Sequence, residues 1–169
     1  LLLLSNSTNH GEGYMDWCRE IILDFIPAQA KVAFVPYAGF YLGYDSYTEK
    51  VKTKLSNSGI TIKGVHEGNP GTIIAESDVI MIGGGNTFYL LKQLHDLNLL
   101  KTIQNKIKEG GYYVGWSAGS NVACPAITTT NDMPIVEPPS FNALHLFPHQ
   151  INPHYTDKTV EGHGGESRD

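Results

Sequence analysis

The sequence is poor in cysteine, methionine and positive charge. Its two cysteines, Cys18 and Cys124, stand far apart in the chain and form no Cys-x-x-Cys spacing. That excludes a disulfide framework and a thiolate metal site, and it points to a reducing cytoplasm. Lysine and arginine number 12 against 17 aspartates and glutamates, for a net charge of -5. Such a balance builds no phosphate-tracking surface, so nucleic acid is excluded as the expected partner. No apolar run approaches the ~20 residues of a membrane-spanning helix, so no membrane partner is expected. The opening LLLL is too short for a signal-peptide core, and it lacks a basic segment before it and a cleavage site behind it. It reads as a buried strand. Because the chain opens inside that strand without methionine, an N-terminus short of a residue or two is expected, and with it an incomplete C-terminus.

What is present fits one folded domain. The chain has 169 residues, 41% hydrophobic and 17% charged, and at that length it buries about 70% of its unfolded surface without a staple. Apolar runs at 1–5, 31–36 (KVAFVP), 78–82 (DVIMI) and 112–115 read as buried strands, and 60–65 as an alternating one. Between them lie stretches with helical spacing: 14–26, a helix through Leu55 capped by Asp45, a short one ending at Glu76, one after Thr87, and 99–108. Strands that alternate with helices predict an α/β fold with a mostly parallel sheet. From residue 125 onward, six prolines predict loops and short strands.

Two glycine-rich turns follow buried strands. GWSAG at 115–119 matches G-x-S-x-G, the nucleophile elbow, in which a serine sits at a strained strand-to-helix apex. The amide of Ala118 then points to where an oxyanion would form. The alternative is a tight turn around a buried serine. GGGNT at 83–87 opens a helix, with Asn86 placed as its cap. Its glycines allow close backbone approach and its amides favour an anion. It lacks the G-x-G-x-x-G and P-loop patterns of nucleotide sites.

A serine nucleophile needs a base. His10, His66 and His95 read as solvated or structural, and His163, among glycines, as mobile. His145, His149 and His154 cluster after the elbow without zincin spacing, and no metal is expected. His154 follows Pro153, which stiffens the chain and suits a ring that must be aimed. Candidate acids are Asp132, Asp157, Glu161 and Glu166.

Four motifs together, GGGNTF (83–88), GWSAGSN (115–121), TTNDMPIV (129–136) and LFPHQINPHYTD (146–157), resemble those of the peptidase E family of alpha-aspartyl dipeptidases. This serine peptidase family also includes cyanophycinase, and the resemblance runs from LLLLSNST to EGHGGESR. It implies a three-layer α/β/α sandwich similar to the class I glutamine amidotransferase domain. It implies hydrolysis of dipeptides with N-terminal aspartate, Asp-X, with no cofactor. Ser117 falls on the family nucleophile, His154 on the general base, and the amides of Gly85 and Ala118 on the oxyanion hole. Asn86 and Arg168 fall where the family holds the aspartate side chain. Asp132 is a site residue that positions the histidine or binds the substrate amine. The family's triad acid, usually Glu, lies well beyond His154, so the chain is expected to be a fragment of one peptidase domain. A homodimer is also expected. The rival readings are a cyanophycinase-like hydrolase and a non-catalytic protein that binds acidic ligands.

Overall fold

The computed structural model describes residues 1–155. Five strands form one sheet: β1 (Leu2–Leu4), β2 (Lys31–Val35), β3 (Thr61–Gly64), β4 (Val79–Ile82) and β5 (Tyr112–Trp116). Their order is β1-β5-β4-β2-β3, and every pairing is parallel. Six helices connect and flank them: α1 (Arg19–Phe25), α2 (Tyr44–Lys54), α3 (Pro70–Ala75), α4 (Thr87–Asp96), α5 (Leu99–Lys108) and α6 (Ala118–Asn121).

The period-2 geometry of a strand sends successive side chains to opposite faces. In β1, β2, β4 and β5 both faces are apolar, so each of these strands feeds two cores, whereas the edge strand β3 alternates, with Thr61 and Lys63 exposed. Ala33, Val35, Ile80, Ile82 and Tyr113 pack with α3, α4 and α5 through Ile74, Leu91 and Ile103. Val32, Phe34, Val79, Met81 and Trp116 pack with α1 and α2 through Ile22 and Val51. Helices therefore cover both faces of the sheet, as parallel sheets require.

Two helix starts and one set of expected strands differ from the sequence reading. The helix expected over 14–26 begins at Arg19. Met15 has φ 58°, and its amide donates to the Ser7 carbonyl, so residues 14–18 form turns although Met15 and Cys18 are buried as a helix would bury them. Helix α2 starts at Tyr44 with Gly43 at its N-cap, not Asp45. Gly43 has φ 78°, a conformation glycine adopts freely, and Asp45 instead pairs with His66 at 2.9 Å. After residue 125 the expected short strands reduce, among the described residues, to one antiparallel bridge, Ala126 with Asn142.

In an all-parallel sheet every strand ends on the same side. The chain runs outward from β2 to β3, then returns through β4 to β5. The loops after β2 and β4 thus diverge and leave a crevice at the carboxyl ends of the strands, where open α/β sheets bind ligands. No helix among the described residues is long and apolar enough to cross a membrane.

Candidate active site

Strand β5 delivers Ser117. The chain leaves Trp116 and turns into α6 with Ser117 at φ 54° and ψ -116°, a conformation that costs a non-glycine residue energy. The turn is pinned on both sides. The Ser117 amide donates to the Leu4 carbonyl at the end of β1, and the amides of Ser120 and Asn121 donate to the Ser117 carbonyl. Small residues are obligatory here. A Cβ on Gly115 would lie 2.5 Å from the Gly119 carbonyl oxygen, and one on Gly119 would lie 2.0 Å from that of Ile82. The elbow expected from the sequence is therefore present, with its flanking glycines packed backbone to backbone.

His154 meets it from the far end of the described chain. Its Nε2 lies 2.7 Å from Ser117 Oγ. With Nε2 unprotonated, the serine hydroxyl donates to it, which is the geometry a general base needs. The ring is aimed by its backbone: His154 has φ 64°, its amide donates to Ser5 Oγ at 2.8 Å, and the preceding Pro153 is buried. Asn121 on α6 secures the same segment by donating to the Ile151 carbonyl at 3.1 Å, and Thr129 also donates to that carbonyl. His145 and His149 are exposed and lie apart from this site; His149 packs on Phe147.

The glycine loop after β4 passes directly over the nucleophile. A Cβ on Gly84 would lie 3.0 Å from Ser117 Cβ. Gly85 has φ 138°, and a Cβ there would lie 2.1 Å from the Ala38 carbonyl oxygen, so only glycine fits. The amides flanking Gly84 and Gly85 are committed elsewhere: Gly83 donates to Val35 and Asn86 to Ala38. The loop is held from below by Tyr47, whose hydroxyl donates to the Gly84 carbonyl at 3.1 Å and accepts from Trp116 Nε1 at 3.0 Å.

Asn86 caps α4 as its position suggested. Its Oδ1 accepts from the Tyr89 amide at 2.9 Å, while its Nδ2 donates to the Met133 carbonyl at 2.7 Å. Asp132 sits beside it. Its Oδ2 accepts from the Thr87 amide at 2.7 Å, from Thr87 Oγ1 at 2.6 Å and from Thr130 Oγ1 at 3.1 Å. Asn86 and Asp132 together fasten the loop 129–135 to the start of α4. Arg168, Asp157, Glu161, His163 and Glu166 lie outside the described residues.

Ser117, His154, Gly85, Asn86 and Asp132 all border one open cleft of about 650 Å³. A small hollow of about 60 Å³ lies behind Ser117, between α6 and Asp132. The Tyr-rich loop after β2 forms one bank of the cleft through Phe40, Tyr41 and Leu42, which are exposed. Lys50 of α2 also lines the cleft, and its ammonium sits 4.1 Å above the Tyr14 ring. It is the lysine or arginine bordering the cleft among the described residues. No cluster of metal-ligating side chains occurs among the described residues. The sequence reading missed Ser5, Lys50, Thr87 and the role of Tyr47. Of these, Thr87 carried a signal, as the residue next to the capping Asn86.

The whole chain, residues 1–169, matches the model of peptidase family S51. It is 46% identical over 170 residues to peptidase E of Shigella flexneri serotype 5b, covering all of this chain and 74% of that protein. It is 47% identical over 171 residues to peptidase E of a Nostoc species, covering 71% of that protein. Among solved structures, that of a peptidase E protein from Listeria monocytogenes EGD-e superposes with a TM-score of 0.73 at 27% identity, over 90% of this chain and 77% of that one. A peptidase from an acI-B1 actinobacterium shares the fold, with a TM-score of 0.69 at 16% identity over 90% of this chain and 66% of that one. With the match of its whole length and these relatives beside a strained serine in contact with a histidine, the chain belongs to peptidase family S51.

Proposed function

We propose that the chain is a serine-type aspartyl dipeptidase that cleaves Asp-X through an acyl-enzyme on Ser117. The observation that carries the reading is the 2.7 Å contact between His154 Nε2 and Ser117 Oγ, at an elbow open to the cleft. His154 takes the hydroxyl proton as Oγ attacks the scissile carbonyl. The carbonyl oxygen becomes an oxyanion facing the amides of Gly85 and Ala118, where loss of one such donor typically costs about 2.7–4 kcal/mol. His154 then protonates the leaving amine. Water enters, gives its proton to His154 and frees aspartate from the ester.

Substrate recognition follows from charge. An Asp-X dipeptide carries two carboxylates and one ammonium group. Arg168 and Asn86 are assigned to the aspartate side chain, for which a guanidinium offers a bidentate fork. Asp132 is assigned to the substrate amine or to the histidine. Lys50 adds a positive charge at the border of the cleft. The reading includes one peptidase domain with the three-layer, glutamine amidotransferase-like arrangement. It also includes a cytoplasmic homodimer, consistent in compartment with two free, buried thiols; gel filtration tests the dimer.

The deciding experiment measures free aspartate released from Asp-Leu, Leu-Asp and an Asp-initiated tripeptide, with the intact mass of the enzyme recorded. Release from Asp-Leu alone, abolished by Ser117→Ala, is the expected result. Full activity in Ser117→Ala, or no release from Asp-Leu by the full-length enzyme, overturns the reading.

A further inference from the structure

Three consecutive glycines solve one problem and create another. They let the loop 83–85 pass against the nucleophile, but a glycine peptide plane rotates at little cost. An amide donor that must face an oxyanion therefore needs its plane held by something else. The structure supplies a candidate on the far side of that plane.

In a trans peptide the carbonyl oxygen of one residue and the amide hydrogen of the next point in opposite directions. The Gly84 carbonyl and the Gly85 amide belong to one such unit. Tyr47 donates its hydroxyl to the Gly84 oxygen at 3.1 Å. We propose that the Tyr47 phenol is a positioning residue of the oxyanion hole: by holding the Gly84 carbonyl it turns the Gly85 amide toward Ser117. This rests on the reading of Gly85 as an oxyanion donor.

The phenol is itself over-determined. It is 5% exposed. Its ring fits against Gly39 and Gly83, where an added Cβ would come within 2.5 Å of it in either case. Phe34 meets it edge to face at 5.1 Å. Its oxygen accepts from Trp116 Nε1 at 3.0 Å, which leaves its one proton for Gly84. Burial pushes its pKa up to about 12, so it remains a donor at working pH. Trp116 directly precedes Ser117, so one hydroxyl ties the elbow to the glycine loop. A hydrogen bond to the carbonyl also polarises the peptide and strengthens its amide as a donor.

The test uses the full-length enzyme and Tyr47→Phe. With Asp-Leu, kcat falls about 10–100-fold, short of or near the loss of a whole oxyanion donor, while KM stays within about twofold. Affinity for an aspartyl aldehyde, which forms an oxyanion-bearing adduct on Ser117, falls by the same factor as kcat. Affinity for free aspartate is unchanged. Trp116→Phe, which leaves the bond to Gly84 in place, loses less. An unchanged kcat in Tyr47→Phe overturns the proposal, and so does an equal loss of aspartate and aldehyde binding. If Tyr47→Phe does not fold, 3,5-difluorotyrosine at position 47 takes its place. Its more acidic hydroxyl makes kcat, not KM, fall at an alkaline pH where the unsubstituted enzyme keeps its rate; coincident profiles overturn the proposal. Ser117 labelling by a fluorophosphonate needs no peptide. Slower labelling in Tyr47→Phe supports the clamp even where the wild type leaves Asp-Leu intact, and equal labelling sinks it.

Discussion

At the scale of the residue, the site depends on places where no side chain fits. Gly119 lets α6 press onto the end of β4, where a Cβ would lie 2.0 Å from the Ile82 carbonyl oxygen. Backbone cannot step aside as a flexible side chain does. Gly119→Ala is expected to lose about 1–3 kcal/mol or more by urea denaturation, the range for overpacking, and to lose activity at temperatures where it is still folded. A variant of unchanged midpoint and rate would show that the elbow relaxes freely. These glycines were legible because G-x-S-x-G and GGGN are local patterns, and so was the aimed histidine after Pro153. Tyr47 was not. Its partners, Gly84 and Trp116, are 37 and 69 residues away, and its position on an apolar helix face reads as packing. Ser5, which orients His154 from 149 residues away, was hidden for the same reason. Spacing in a sequence reports neighbours along the chain, while the hydrogen bonds that aim this site are made across it.

At the scale of the element, α4 ties the glycine loop to the proline-rich segment. Its first turn has two side-chain acceptors, Asn86 for the Tyr89 amide and Asp132 for that of Thr87. Orphan amides at a helix start need such partners. Asp132→Ala is expected to cost about 1 kcal/mol, the usual value of a lost cap, seen as a lower denaturation midpoint. It also releases the loop 129–135 from the site, so kcat/KM for Asp-Leu falls further than stability alone explains. If activity survives while the midpoint drops, Asp132 is a cap and nothing more. The helices themselves were well marked by apolar periodicity: α5 begins and ends where it placed it, and α4 begins at Thr87, within a residue of the expected start. The starts of α1 and α2 were not, because positive φ at Met15 and Gly43 is set by where the chain must turn. Around Met15 the buried side chains, Met15 and Cys18, still follow helical spacing.

At the scale of the whole molecule, the parallel sheet and its two apolar faces followed from the composition of the strands, whereas their order did not. Nothing in β1 says that it pairs with β5 rather than with β2. Both cysteines lie inside the resulting cores. Burial pushes the Cys18 thiol up to about 11 and raises that of Cys124 as well. A raised thiol pKa leaves little thiolate at pH 8. Iodoacetamide at that pH is therefore expected to leave the folded protein unlabelled over a period in which the urea-unfolded chain takes up two labels by mass. Rapid labelling of the folded protein would contradict the packing around α1 and α6.

The end of β1 has a consequence for the chain while it is being made. The Leu4 carbonyl accepts from the Ser117 amide and from Ser120 Oγ, and Ser5 Oγ accepts from the amide of His154. Nucleophile and base are thus both moored to β1 and the residue after it, and each is synthesised long after them. Until the segment around residue 154 has emerged and docked, the serine has no base and the histidine has no fixed aim. A nascent peptidase surrounded by other unfinished polypeptides is in this way harmless to them, because its reactivity is assembled from the two ends of the described chain and exists only once they have met.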